Sequence, residues 1–162
     1  MKIKTAYLGM YLALALICSY VESLIPFYFG VPGIKLGLTN VVVVLLLYTL
    51  GTKEAFLVSV IRIILAGFLF GNPFSILYSL SGGILSFLSM YLLKGGGKLK
   101  VVTVSVAGGV MHNMGQLVTA ALVVENYHIL YYLPVLLIAG FVTGFFIGIV
   151  SQEIILRIGN RV

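Results

Sequence analysis

The chain has 162 residues, of which 61% are hydrophobic and 9% charged, with a formal net charge of +6. Water-soluble domains are ordinarily ~45–50% apolar and ~25% charged, so this chain has too little polar side chain to cover a folded surface in water. That excludes an ordinary soluble enzyme, a disordered chain and a disulfide scaffold, and it leaves an integral membrane protein.

A helix crossing the hydrocarbon needs ~20 mostly apolar residues, so six would use ~120 and leave ~40 for connections. The expected fold is all-α: one integral membrane domain over 1–162, built as a bundle of six transmembrane helices. Residues 1–19 imitate a signal peptide, with Lys2 and Lys4 ahead of an apolar run. No A-x-A site follows, and five more apolar segments do, so a first span is expected at 7–25. Pro26, Gly30, Pro32 and Gly33 then break the helix. The second span, 36–50, is short and reads as tilted or partly re-entrant. A tight turn at Gly51 to Lys53 leads to the third, 55–70. Gly71-Asn72-Pro73 is a strong break before the fourth, 74–93. Lys94 to Lys100 (KGGGKLK) reads as a flexible basic loop, the fifth span is 101–124, Glu125 to His128 form a polar turn, and the sixth span is 130–156.

Six crossings place both termini on one side. Lys2, Lys4, Lys53, Lys94, Lys98, Lys100, Arg157 and Arg161 then share that side, against Lys35 on the other. Basic residues hold the cytoplasmic ends of membrane helices, so both termini are expected in the cytoplasm. This explains the basic balance without a nucleic-acid partner. The single cysteine, Cys18, excludes an internal disulfide and reads as a small core residue.

Helices in lipid gain little by hydrophobic association, so close backbone contact and interhelical hydrogen bonds matter. Gly140, Gly144 and Gly148 form a repeated GxxxG in the sixth span, and Ser75, Ser79, Gly82, Ser86 and Ser89 share one face of the fourth. Both read as packing faces inside the bundle. Gly9 and Ala13 form a similar face on the first span, which points either inward or to another subunit. In the fifth span Ser105, Gly109, His112, Gln116 and Thr119 lie on one stripe with Asn113 beside it. Such groups are costly against lipid, so they serve either interhelical hydrogen bonding or a ligand. A lone His lacks metal-ligand partners at useful spacing, so no metal is expected.

Arg62 lies halfway along the third span, and an arginine at that depth is nearly always paired or functional. Glu22 is its candidate partner, either as a structural pair or as part of a site. Lys35, Asn40 and Asn72 fall toward the same outer half. With His112, Asn113 and Gln116 they suggest an outward-open polar pocket, flanked by Tyr and Phe, for an organic molecule with a polar or anionic group. Glu153 and Arg157 are four apart and form a surface pair of little weight. GGGK at Gly95 to Lys98 is no P-loop, because the first glycine is misplaced and Leu99 replaces Ser/Thr. No G-x-S-x-G or HExxH occurs, and all four acids are Glu, so the aspartate-rich motifs that hold Mg²⁺ on a diphosphate are missing.

Three segments carry a resemblance: VPGIKLGLTNVVVVLLLYTLG from Val31 to Gly51, GNPFSILYSLSGGILSF from Gly71 to Phe87, and GGVMHNMGQL from Gly108 to Leu117. Together they resemble the Gx transporter family, also labelled heptaprenyl diphosphate synthase component I. That family is similar to the substrate-binding S components of energy-coupling factor (ECF) transporters. The resemblance implies a six-helix, non-enzymatic membrane protein of a prokaryotic cell membrane that captures a micronutrient or precursor from outside. It implies a transmembrane coupling protein and two ATPase subunits as partners, with no cofactor on this chain and ATP hydrolysed by those partners. Gly9 and Ala13 would occupy the docking face on the first helix, and the segment from Glu22 to Lys35 would cover the substrate. Nickel and cobalt S components begin with a Met-x-His type terminus, whereas this chain begins Met1-Lys2-Ile3, which argues against those metals. The family's other label leaves open a non-catalytic partner of a prenyl diphosphate synthase, or a carrier of an isoprenoid precursor.

Overall fold

A computed structural model describes residues 2–25, 37–97 and 99–159. These form six α-helices: α1 Lys2–Leu24, α2 Leu38–Thr49, α3 Thr52–Phe70, α4 Pro73–Gly95, α5 Val101–Val123 and α6 Leu133–Gly159. A short 3-10 helix, Tyr127–Tyr132, precedes α6. Among the described residues there is no strand. The expected all-helical fold and its order are found, with differences at the element ends.

Local chemistry explains those ends. Asn72 caps α4: its side chain accepts from the Ser75 amide at 2.8 Å, while the Asn72 amide donates to the Ser75 hydroxyl at 3.1 Å. Pro73 takes the first helical position, where a missing N–H costs nothing. Pro134 likewise lies in the first turn of α6, and its ring excludes an α-helical carbonyl four residues earlier. The preceding six residues therefore wind as a 3-10 segment rather than extending α6. The turn between α2 and α3 is tighter than expected. Gly51 takes φ 121° and its amide bonds to the Leu46 carbonyl, so Lys53 and Glu54 already belong to the first turn of α3. Lys94 and Gly95, expected in a loop, complete α4.

Among the described residues, four stretches are long and apolar enough to cross a membrane: Thr5–Leu24, Pro73–Gly95, Val101–Val123 and Tyr127–Ile158. The chain is thus a multi-pass membrane protein. The other two helices are different. α3 has 19 residues but carries Lys53, Glu54 and Arg62. α2 has 12 residues, about 18 Å at ~1.5 Å per residue, well short of a ~30 Å hydrocarbon core. It is nevertheless the most enclosed helix. Thr39 and the unbroken run Val42 to Leu47 are buried, as befits a helix that is apolar all round.

Successive helices alternate in direction. Gly82 of α4 meets His112 and Gln116 of α5, and Gly108 meets Met90. Ser105 of α5 donates to the Gly144 carbonyl of α6 at 2.8 Å, and Asn113 donates to the Leu136 carbonyl at 2.8 Å. Lys53, Lys94, Lys100 and Arg157 therefore gather at one end, called here the basic end. Beside it lies the apolar core: α2 with Ala15, Ala55, Val58, Phe87, Met90, Val104 and Ile147. Lys94 ties α4 to α2 there, donating to the Leu47 carbonyl with its ammonium 5.0 Å from the Tyr48 ring centre.

Glycines set the closest approaches. A Cβ on Gly109 would lie 2.4 Å from the Gly140 carbonyl oxygen, and one on Gly144 would lie 2.8 Å from that of Ser105. The repeated GxxxG of α6 thus packs on α5, as its spacing suggests. Gly9 is the opposite case, with nothing within 4 Å of the position its Cβ would take. Both Gly9 and Ala13 face outward from the bundle.

Candidate binding cavity

Away from the basic end, the bundle encloses a partly open polar cavity of about 450 Å³. It is built from the far ends of α1 and α3, the start of α2 and α4, and the middle of α5 and α6. The shortness of α2 makes this space: the helix starts deep in the bundle, and its N-terminal turn forms part of the cavity wall.

Gly37 precedes that turn with φ 71°, a left-handed conformation suited to glycine. The α2 N-terminus lacks a side-chain cap of the usual kind. Instead, Glu22 of α1 reaches across and accepts a hydrogen bond from the Gly37 amide. The negative carboxylate thereby sits at the positive end of the α2 dipole. Thr39 and Ser19 hydroxyls approach to 3.1 Å beside it. Next along α2, Asn40 Oδ1 accepts from Arg62 Nη2 at 3.4 Å, a long and weak contact. Arg62 Nε is buried without a hydrogen-bond partner. Of the two readings left open for Glu22 and Arg62, a structural pair or part of a site, the ion pair does not form within 4 Å. Each side chain has another partner: the Gly37 amide for Glu22 and the Asn40 side chain for Arg62.

On the opposite wall, His112, Asn113 and Gln116 project from α5, and Thr143 from α6. Gln116 is buried. Asn113 spends one amide hydrogen on the Leu136 carbonyl, which leaves its other hydrogen and its oxygen for the cavity. A guanidinium, amides, an imidazole and hydroxyls thus converge on a space in the range of small-molecule pockets, ~300–1,000 Å³. Among the described residues no three His, Cys, Asp or Glu side chains gather to hold a metal ion.

The model of the family described as heptaprenyl diphosphate synthase component I matches residues 11–154. The chain belongs to that family. No curated protein and no solved structure matches the chain.

For this family member, the cavity brings together six residues singled out from the sequence: Glu22, Asn40, Arg62, His112, Asn113 and Gln116. Lys35 lies outside the described residues. Asn72 is not among the lining residues. Its neighbours Gly71 and Ser75 line the cavity, but its own side chain is engaged in capping α4. Of the expected aromatic lining, Phe70 is found among the described residues, with the Tyr20 ring tilted against it at 5.1 Å between centres.

The α5 stripe divides between its two readings. Ser105 bonds to α6 and Gly109 packs on it, whereas His112 and Gln116 reach the cavity. The α4 face divides too: Ser75 and Ser79 line the cavity, while Gly82 and Ser86 are buried against α5. Ser19, Ser23, Thr39 and Thr143 also line it and were not evident in the sequence. Ser19 is three residues before Glu22, so helical spacing from that charged residue was the available signal for it; Thr39, next in sequence to Asn40, had no such signal.

Proposed function

We propose that the chain is a non-catalytic substrate-binding subunit, the S component of an energy-coupling factor type importer in a prokaryotic cell (inner) membrane. In this reading all six helices form the membrane domain, with α2 and α3 completed by packing rather than by length. The basic end and both termini face the cytoplasm, consistent with the positive-inside bias, and the cavity opens outward. It captures a small organic molecule whose polar or anionic group meets Arg62, while His112, Asn113, Gln116 and Asn40 orient it.

The observation that carries this reading is the convergence of Arg62 and the α5 polar groups on one cavity at the end of the bundle remote from the basic residues. The outward-facing Gly9 and Ala13 support a close-packing face for a transmembrane coupling protein, which would bring two ATPases. ATP hydrolysis belongs to those subunits, and this chain needs no cofactor. The test is recovery of partners from native membranes together with mass spectrometry of any retained small molecule. An ATPase pair and a coupling protein support import. If Arg62→Ala and His112→Ala both leave uptake and ligand affinity intact, the cavity is not the site.

The family description favours a second reading: a membrane partner of a prenyl diphosphate synthase, or a carrier of its isoprenoid precursors. Recovery of a soluble prenyl synthase in place of ATPases would select it. The absence of Asp from the sequence favours a helper over a catalyst for Mg²⁺–diphosphate chemistry.

A further inference from the structure

The polar cavity holds two opposite charges that are not spent on each other. Glu22 of α1 and Arg62 of α3 both line it, and they form no ion pair within 4 Å. Among the other described lining residues, His112 alone has an ionisable side chain. One turn of α2 fixes both charges. The Gly37 amide donates to Glu22, and Asn40, three residues on, accepts from Arg62 Nη2 at 3.4 Å. Gly37 and Asn40 are themselves joined, the Asn40 amide donating to the Gly37 carbonyl at 2.8 Å. The two charges are therefore anchored about one helical turn apart, roughly 5 Å.

Neither charge is neutralised by what it touches. A helix N-terminus carries only about half a positive charge, so the carboxylate stays net negative while it accepts from Gly37. A carboxylate has about four acceptor positions, and the Gly37 amide takes one. Arg62 touches the neutral Asn40 side chain, and its Nε is buried without a hydrogen-bond partner. A simple anion at Arg62 would lie close to the Glu22 carboxylate and be repelled. A simple cation at Glu22 would meet the guanidinium. Screening of such repulsion is weak inside a protein. A molecule of zero net charge, with both signs a short distance apart, satisfies both side chains at once. The facing wall adds the second amide hydrogen and the oxygen of Asn113, with His112 and Gln116 beside it. Those groups suit a ligand body that forms hydrogen bonds.

We infer that the cavity takes a small zwitterion of the amino-acid type: its carboxylate meets Arg62, its ammonium meets Glu22, and its side chain lies along His112, Asn113 and Gln116. This names the substrate class of the same cavity and rests on the binding reading above. Glu22 then has two tasks, holding the start of α2 and selecting the ammonium. Arg62 alone would accept any small anion; the pair rejects one that lacks a compensating positive group.

The experiment uses the purified full-length protein in nanodiscs of phosphatidylglycerol, titrated calorimetrically with each standard amino acid. For each one that binds, the amine lacking its carboxylate and the acid lacking its ammonium are titrated too; for glutamine these are γ-aminobutyramide and glutaramate. At least one amino acid is expected to bind about tenfold or more tightly than both of its analogues, the scale of one charge-assisted hydrogen bond. Substitution should reverse the preference. In Glu22→Gln, whose amide oxygen can still accept from Gly37, the acid should bind as tightly as the amino acid or more so; in Arg62→Gln the amine should. Each comparison is made within one variant, so a lowered folded fraction cancels. Failure of every amino acid to bind, or an acid as tight as its amino acid in the unaltered protein, would overturn the proposal. Loss of amino-acid binding when phosphatidylethanolamine is added to the discs would assign the site to a lipid headgroup and overturn it as well. Acid binding that depends on Arg62 but ignores Glu22→Gln sinks this inference and spares the binding reading. Binding of every probe unchanged in Arg62→Gln sinks both.

Discussion

The α5–α6 contact gives the sharpest quantitative expectation. In Gly109→Ala the new methyl would lie 2.4 Å from the Gly140 carbonyl oxygen and 3.2 Å from Gly144 Cα, both backbone atoms that no rotamer change can move. Ordinary contact begins at 3.4 Å, so the helices must separate locally by roughly 1 Å. Overpacking of this kind costs about 1–3 kcal/mol. The separation also stretches the buried Ser105–Gly144 hydrogen bond, now 2.8 Å, and a bond of this type contributes about 0.5–1.5 kcal/mol. Alanine recovers up to ~1 kcal/mol through its better helix propensity. The net expectation is a loss of about 2 kcal/mol. At roughly 2–4 °C per kcal/mol for a chain of this size, the thermal midpoint in detergent should fall by about 4–8 °C. Gly9→Ala is the matched control: its methyl meets nothing within 4 Å, so its midpoint should stay the same or rise slightly. Thermal unfolding of the purified variants, followed by size-exclusion chromatography of heated samples, measures both. Equal midpoints for the two variants would refute the argument that α5 and α6 meet backbone to backbone.

Other substitutions separate stability from binding. Arg62→Met should leave the thermal midpoint unchanged or raised, because no ion pair within 4 Å offsets the cost of burying this charge; ligand affinity, read by titration, should fall at least about tenfold with loss of a charge-assisted contact. Asn72→Ala should cost about 1 kcal/mol of stability through loss of the α4 cap while ligand affinity stays the same. Lys94→Met should lower the midpoint by removing the donor to the Leu47 carbonyl and the cation over Tyr48, about 1–2 kcal/mol together; an unchanged midpoint would remove Lys94 as a tie between α2 and α4. Gly9→Leu should fold normally and lose the proposed coupling-protein partner in membrane pull-downs, and retention of that partner would clear α1 of a docking role.

Much of the candidate site could be read from cost alone. Arg62, His112, Asn113 and Gln116 are expensive wherever lipid surrounds a helix, so their presence in apolar segments required a shared interior. Six of the eight nominated residues do line one cavity. Asn72 could not be placed from the sequence, because the same residue type serves as a ligand group or as a helix cap, and it is the Ser75 contacts that show it capping α4. Glu22 and Arg62 both line the cavity, and the pairing that the sequence left open does not form: the α2 N-terminus takes the carboxylate instead. That competition depends on where a third helix starts, which spacing within two helices cannot report.

By itself the sequence determined the solvent, the helical class and the order of the elements, because hydropathy, breakers such as Gly71-Asn72-Pro73 and the distribution of basic residues act locally along the chain. The tertiary structure alone decided what each face meets. The glycines of α6 and those of α1 obey the same spacing, yet Gly144 lies against the Ser105 carbonyl and Gly9 against nothing. It also decided that α2, the α-helix with the fewest residues, would be the most enclosed, and that its start deep in the bundle would leave a cavity. Periodicity fixes which residues share a face, whereas only the packing of the other helices fixes what that face touches.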